Sequence, residues 1–148
     1  MITREIVQKK EILLAEDSPA DVRLMQEVIK ECRLDSNLHV AEDGSKVMDF
    51  LMHGAGFERA PRPDVILLDL NMPKEDGYDV LSDIKSRRDL RLIPVIVLSS
   101  SSSERDIRSA YQLNANCYIN KPSSISDFVK VMNSIGDFWF NTVKLPKV

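Results

Sequence analysis

The stretch DVILLD, Asp64–Asp69, runs four apolar residues in succession and closes on a carboxylate. A strand with one wet face alternates apolar and polar residues, so an unbroken run predicts a strand covered on both faces, at the centre of a parallel sheet. Working outward, PVIVL at Pro94–Leu98 reads the same way, with proline at its first residue where no ladder bond is needed. Glu11–Ala15, Leu38–Ala41 and Cys117–Asn120 complete a set of five strands.

Helical spacing fills the gaps. Val22, Met25, Ile29 and Cys32 share one face of a helix opened by Ser18-Pro19-Ala20-Asp21, in which serine caps and proline fits the first turn. Asp43-Gly44-Ser45 turns into a helix carrying Val47, Phe50 and Leu51; Gly77–Arg87 is helical through Val80, Leu81 and Ile84; Glu104–Leu113 is a fourth helix, and Ser124 caps a fifth. His53–Pro63 is a Gly- and Pro-rich loop. Strict alternation of five strands with five helices predicts an α/β fold, a doubly wound parallel sheet. Such sheets bind ligands beyond the carboxyl ends of their strands.

The bulk properties agree. The 148 residues suit one domain, a net charge of −3 argues against a nucleic-acid surface, and no apolar run is long enough to cross a membrane. Met1–Lys10 is polar and does not read as a targeting segment, so a cytoplasmic protein is expected. Cys32 and Cys117 stand far apart and read as buried thiols in a reducing compartment, and His39 and His53 are isolated.

Polar groups follow four of the strands: Glu16-Asp17, Asp69, Ser99-Ser100 and Asn120-Lys121-Pro122. In a parallel sheet these ends share one edge. Taken singly, Glu16-Asp17-Ser18 suits a capping turn, Ser101–Ser103 a polar loop and Lys121 a solvated charge. Together, three carboxylates at one edge repel by roughly a few kcal/mol per close pair at an effective dielectric of about 20. A hard divalent cation relieves that repulsion, and Mg²⁺ suits carboxylates combined with phosphate oxygens, with Mn²⁺ an acceptable substitute. A carboxylate at such a site can attack a phosphoryl donor to give an aspartyl phosphate. Lys121 would then clamp the charged oxygens and the Ser99 hydroxyl would hydrogen-bond the transferred group.

The motif series LLAEDSPAD (Leu13–Asp21), VILLDLNMPKEDG (Val65–Gly77), VIVLSS (Val95–Ser100) and YINKP (Tyr118–Pro122) resembles response-regulator receiver domains of two-component pathways. The resemblance runs from about residue 11 to about residue 132, leaves 133–148 as a C-terminal extension of one domain, and implies the flavodoxin-like strand order 2-1-3-4-5. It implies that Glu16 and Asp17 are metal-site acids, Asp69 the phosphoacceptor and metal ligand, and Asn71 a metal ligand through its backbone carbonyl. It further implies that Ser99 is the switch hydroxyl, Lys121 the phosphoryl-binding lysine and Tyr118 the aromatic that changes rotamer on activation, with a cis Lys121–Pro122 peptide. Ser99 stands where many receivers have threonine, and Ser100 where alanine is usual. The partner implied is a sensor histidine kinase, and the output a changed surface for a protein target, since no DNA-binding or enzymatic domain follows. Such a protein catalyses only its own phosphorylation and dephosphorylation.

GFERAPRPDVILLDLN (Gly56–Asn71) and FWFNTVKLP (Phe138–Pro146) are similar to single-domain regulators that partner phytochrome-type, light-sensing kinases and that dimerise through the last helix and strand. Ile125, Phe128, Met132, Ile135 and Trp139 repeat at spacings of 3 and 4, a seam that suits a homodimer, widened by Phe138 and Phe140. The same positions suit packing on the chain's own sheet. Two other readings are weaker. A haloacid-dehalogenase-type phosphatase carries its nucleophile after the first strand in a DxDxT pattern, whereas here the acid follows the third and position 71 is asparagine. A scaffold that never takes phosphate would not need Glu16, Asp17, Asp69 and Lys121 together.

Overall fold

A computed structural model describes residues 9–72 and 77–146. Met1–Lys10, expected not to be a targeting segment, and the KED of the third-strand motif (residues 74–76) lie wholly or largely outside them. The elements are β1 (Lys10–Ala15), α1 (Pro19–Glu31), β2 (Ser36–Ala41), α2 (Gly44–Met52), β3 (Val65–Asp69), α3 (Gly77–Ser86), β4 (Val95–Ser99), α4 (Glu104–Gln112), β5 (Cys117–Asn120) and α5 (Ile125–Gly136). A 3-10 turn at Leu90–Leu92 and a π-helical continuation of α5 at Asp137–Thr142 were not legible from periodicity.

The strands form one parallel sheet in the order β2-β1-β3-β4-β5, as expected. Every residue of β3 and β4 is buried, so the apolar runs of the sequence are two of the three inner strands, covered on both faces. Side chains alternate across the sheet. Leu13, Ile66, Leu68, Val95 and Val97 pack with Val47, Phe50, Val80, Leu81 and Ile84 of α2 and α3. On the other face Ile12, Leu14, Val65, Leu67, Ile96 and Leu98 pack with Met25 and Val28 of α1 and with Phe128, Met132 and Ile135 of α5.

That second core corrects the expected dimer seam. Phe128, Met132 and Ile135 are at most 5% exposed within their own chain, so they cannot also face a second copy. A helix laid on a sheet needs one apolar stripe, and the spacing of 3 and 4 is that stripe. Trp139 and Phe140 are half-buried against the same core, whereas Phe138 (50%) and Ile125 (49%) point outward. Gly136 keeps helical dihedrals, and the π-helical turn begins just after it. A Cβ at Gly136 would lie 1.8 Å from Leu34 Cδ2: the glycine allows close approach to the chain's own α1–β2 link.

Several polar ties fix the loops. Ser18, Asp43, Ser103 and Ser124 each accept a backbone N–H of the first turn of the helix they cap. Lys85 Nζ donates to the carbonyls of Arg91 and Ile93 and to Asn116 Oδ1 at 2.9–3.1 Å, tying α3 to the segments entering β4 and β5. The N–H of Gly77 donates to Leu70 O at 3.3 Å, and a Cβ there would sit 2.4 Å from Leu70 Cα, so only glycine lets α3 start against the end of β3. At the edge of the sheet, the N–H of Tyr118 donates to the Tyr111 hydroxyl of α4 at 3.2 Å. His39, expected to be isolated, lies 2.6 Å from Glu11 Oε2 across β1 and β2. Cys32 and Cys117 are free thiols but half-buried rather than buried.

Candidate functional site

Parallel register aligns the carboxyl ends: Ala15 faces Leu68, Asp69 faces Leu98 and Ser99 faces Asn120. The residues that follow therefore meet on one edge, as the sequence predicts. Glu16 is 3% exposed, Asp69 5% and Ser99 2%, the only buried polar or charged residues among those described. Burying acids costs free energy unless they are paired. Here the pairing is Lys121, whose Nζ lies 3.1 Å from Glu16 Oε1 and 3.1 Å from Asp69 Oδ2.

The two acids divide their roles. Burial pushes the Glu16 carboxyl up to about 8, and the neighbouring Asp69 adds to the rise while Lys121 opposes it. Burial also works against an ionised Asp69, but a hydrogen bond from Glu16, the N–H of Asn71 and the Lys121 ammonium outweigh it and hold Asp69 below its ordinary value. Asn71 N donates to Asp69 Oδ1 at 3.0 Å. Burial would lower the Lys121 ammonium, and the two carboxylates outweigh that and raise it. At neutral pH the site thus holds an ionised aspartate against a charged lysine, with a proton shared on the Glu16 side.

Glu16, Asp17 and Asp69 each offer an oxygen within 4.8 Å of the others. Three hard donors at that spacing fit a divalent cation of the Mg²⁺ or Mn²⁺ kind, with the adjoining Asn71 backbone beside Asp69. One expectation fails: the Lys121–Pro122 peptide is trans, and there is no cis bond among the described residues. The lysine reaches the acids without it, because its backbone N–H is fixed to Ser99 O at 2.8 Å and its stem extends toward Glu16 and Asp69.

Two features were missed in the sequence. Asp21 Oδ2 lies 3.6 Å from Lys121 Nζ, adding a carboxylate that the capping motif disguised as a helix-start residue. Ser101, read as part of a polar loop, is a junction. Its N–H donates to Ser99 Oγ at 3.1 Å, its hydroxyl to Asp106 Oδ2 at 2.5 Å, and its carbonyl accepts the Tyr118 hydroxyl at 2.8 Å. Tyr78 also donates to Asp106 at 3.2 Å. The Ser101 hydroxyl, with Ser103 and Tyr78 behind it, holds the Asp106 carboxyl below its ordinary value. A serine run gives no signal of which member bridges two elements.

The response regulator receiver domain family matches residues 12–133. The response regulator Rcp1 of Synechocystis is 47% identical over 137 residues, 93% of each chain. The crystal structure of its Mn²⁺-bound form superposes with a TM-score of 0.83, covering 93% of this chain and 99% of that one. The phosphorylated cyanobacterial phytochrome response regulator RcpA is 42% identical, with a TM-score of 0.87 over 95% of this chain and 100% of its own. A response regulator in red light signalling of R. palustris is 34% identical, with a TM-score of 0.90 over 94% and 99%. No described helix is long and apolar enough to cross a membrane.

Proposed function

Since the chain belongs to the response regulator receiver domain family, we propose that it receives a phosphoryl group on Asp69 from the phosphohistidine of a sensor histidine kinase. The observation that carries the reading is the Asp69 carboxylate itself. It is buried at the end of the central strand, ionised, and 3.1 Å from the Lys121 ammonium. In the reaction an Asp69 oxygen attacks phosphorus, the P–N bond to the kinase imidazole breaks, and an acyl phosphate forms. Asn71 N–H holds the Oδ1 side of the carboxylate, and Lys121 offers positive charge to the oxygens of the incoming group. Ser99 Oγ accepts from Ser101, so its own proton can turn to a phosphoryl oxygen. Glu16, Asp17, Asp69 and the Asn71 carbonyl would hold Mg²⁺, which supplies further positive charge when bound. The Mn²⁺-bound form of Rcp1 supports that assignment.

The kinase we assign is of the phytochrome type, because Rcp1, RcpA and the red-light regulator of R. palustris are all similar over nearly the whole chain. The protein then works in the cytoplasm, and its only catalysis is its own phosphorylation and dephosphorylation. Its output is the surface of α4, β5 and α5, moved by Ser99 and Tyr118. We assign a homodimer to the outward apolar residues left on α5 and the tail, Ile125 and Phe138.

Phosphotransfer from a panel of purified histidine kinases, phytochrome-type ones included, tests the reading. Base-labile label on the wild-type chain and none on Asp69→Asn is expected. Full labelling of Asp69→Asn, or label with no dependence on Mg²⁺, would overturn it.

A further inference from the structure

We propose that Asp21 is a positioning residue for Lys121, the carboxylate that receives its ammonium when a divalent cation occupies the acid cluster. The inference rests on the functional reading above and adds a residue to it. Lys121 Nζ faces three acidic side chains, Glu16 and Asp69 at 3.1 Å and Asp21 at 3.6 Å. Two of those acids are also members of the cluster that fits the cation. A lysine and a divalent ion drawing on the same oxygens repel each other, so the ammonium must give ground as the ion enters.

Asp21 stands where that retreat would end. It lies in the first turn of α1, with its N–H donating to the Ser18 hydroxyl at 3.3 Å, so its backbone is fixed. Its side chain is half exposed and does not belong to the group formed by Glu16, Asp17 and Asp69, so a cation there leaves its carboxylate to the lysine. A cavity of about 90 Å³, lined by Glu16, Asp21, Asp69 and Lys121 with Met25 and Phe128 behind them, gives the side chain room to shift. The other side chains that line it, Leu14, Leu24, Leu98 and Pro122, are apolar. The Lys121 backbone stays on Ser99 O throughout, so only side-chain torsions need change.

The experiment is Mg²⁺ titration of the full chain by calorimetry, with wild type, Asp21→Asn, Asp21→Glu, Lys121→Met and the Asp21→Asn/Lys121→Met double variant. Asp21→Asn should weaken Mg²⁺ affinity by roughly two- to fivefold, the range expected of a partly exposed ion pair. Asp21→Glu should recover most of it, and the loss should vanish in the Lys121→Met background. Equal losses in both backgrounds would show that Asp21 acts only as a distant charge and would overturn the proposal, as would unchanged affinity in Asp21→Asn. A wild-type chain that does not bind Mg²⁺ at all would instead overturn the functional reading, and this inference with it.

Discussion

The Tyr118 hydroxyl donates to the carbonyl of Ser101 at 2.8 Å, which holds the ring toward the β4–α4 loop rather than toward solvent. Because the same serine also contacts Ser99 and Asp106, the seat of the ring is built from the residues that follow Ser99. Ser101→Ala removes the bond to the Asp106 carboxylate, and with it the main cause that holds that carboxyl below its ordinary value. We expect only a small loss of stability, since the carboxylate is open to water. We also expect a Tyr118 ring that samples more than one rotamer, read by NMR of the aromatic protons. Identical ring spectra in the variant would show that the junction does not govern the tyrosine.

Metal binding should release a proton near neutral pH. Glu16 titrates near 8 in the metal-free chain, so it is largely protonated at pH 7 and must ionise to serve as a ligand. Apparent Mg²⁺ affinity should therefore rise from pH 6 to 8 and level off above that. Calorimetry in two buffers of different ionisation enthalpy reads the proton directly, and Glu16→Gln should abolish its release.

The same shift sets how stability varies with pH. A carboxyl raised in the fold contributes stability below its unfolded value near 4.5, and loses it as pH rises through about 8. Metal-free protein should melt at a lower temperature at pH 9 than at pH 6, with Mg²⁺ reducing the difference. Asp69, shifted the other way, adds a loss only under acid conditions. A flat metal-free profile between pH 6 and 9 would mean that Glu16 is already ionised.

Lys85 should matter more than a helix-surface lysine usually does. Burial pushes its ammonium down to about 8, yet three carbonyl oxygens surround Nζ and favour the charged form, so the geometry argues for a cation at neutral pH. Lys85→Met keeps the stem and removes three hydrogen bonds, while Asn116 Oδ1 keeps the one from Val95 N–H, at a cost of about 1–2 kcal/mol. Urea unfolding measures this, and a change below about 0.5 kcal/mol would match an ordinary exposed site instead.

Phe138 carries the clearest test of self-association. It is half exposed and meets Trp139 edge-on at 5.1 Å, whereas the buried positions of α5 are committed to the sheet. Phe138→Ser should shift a dimer to monomer in light scattering while changing stability little. A wild-type monomer at tens of micromolar, phosphorylated or not, would remove the dimer from the proposal.

The fold was legible because burial leaves a direct mark. The runs at Val65–Leu68 and Val95–Leu98 are apolar throughout since both faces are covered, and their terminal polar residues then fall on one edge. Glu16, Asp69 and Lys121 could be chosen for the same reason. What was hidden depends on which of two surfaces a residue faces. The Phe128–Met132–Ile135 spacing is identical for a helix on its own sheet and a helix on a partner, and only the packed core separates them. Asp21 and Ser101 were hidden because capping and loop residues are ordinary in composition, and their second contacts cross from one element to another.

Strand β5 forms a margin of the sheet, where unpaired amides invite another chain to join. The Tyr111 phenol of α4 occupies the place a sixth strand's carbonyl would take opposite Tyr118. The helix thus acts as a guard rail against strand addition. Any rearrangement that carries α4 away from β5 would bare that amide and leave the sheet open to extension at this edge.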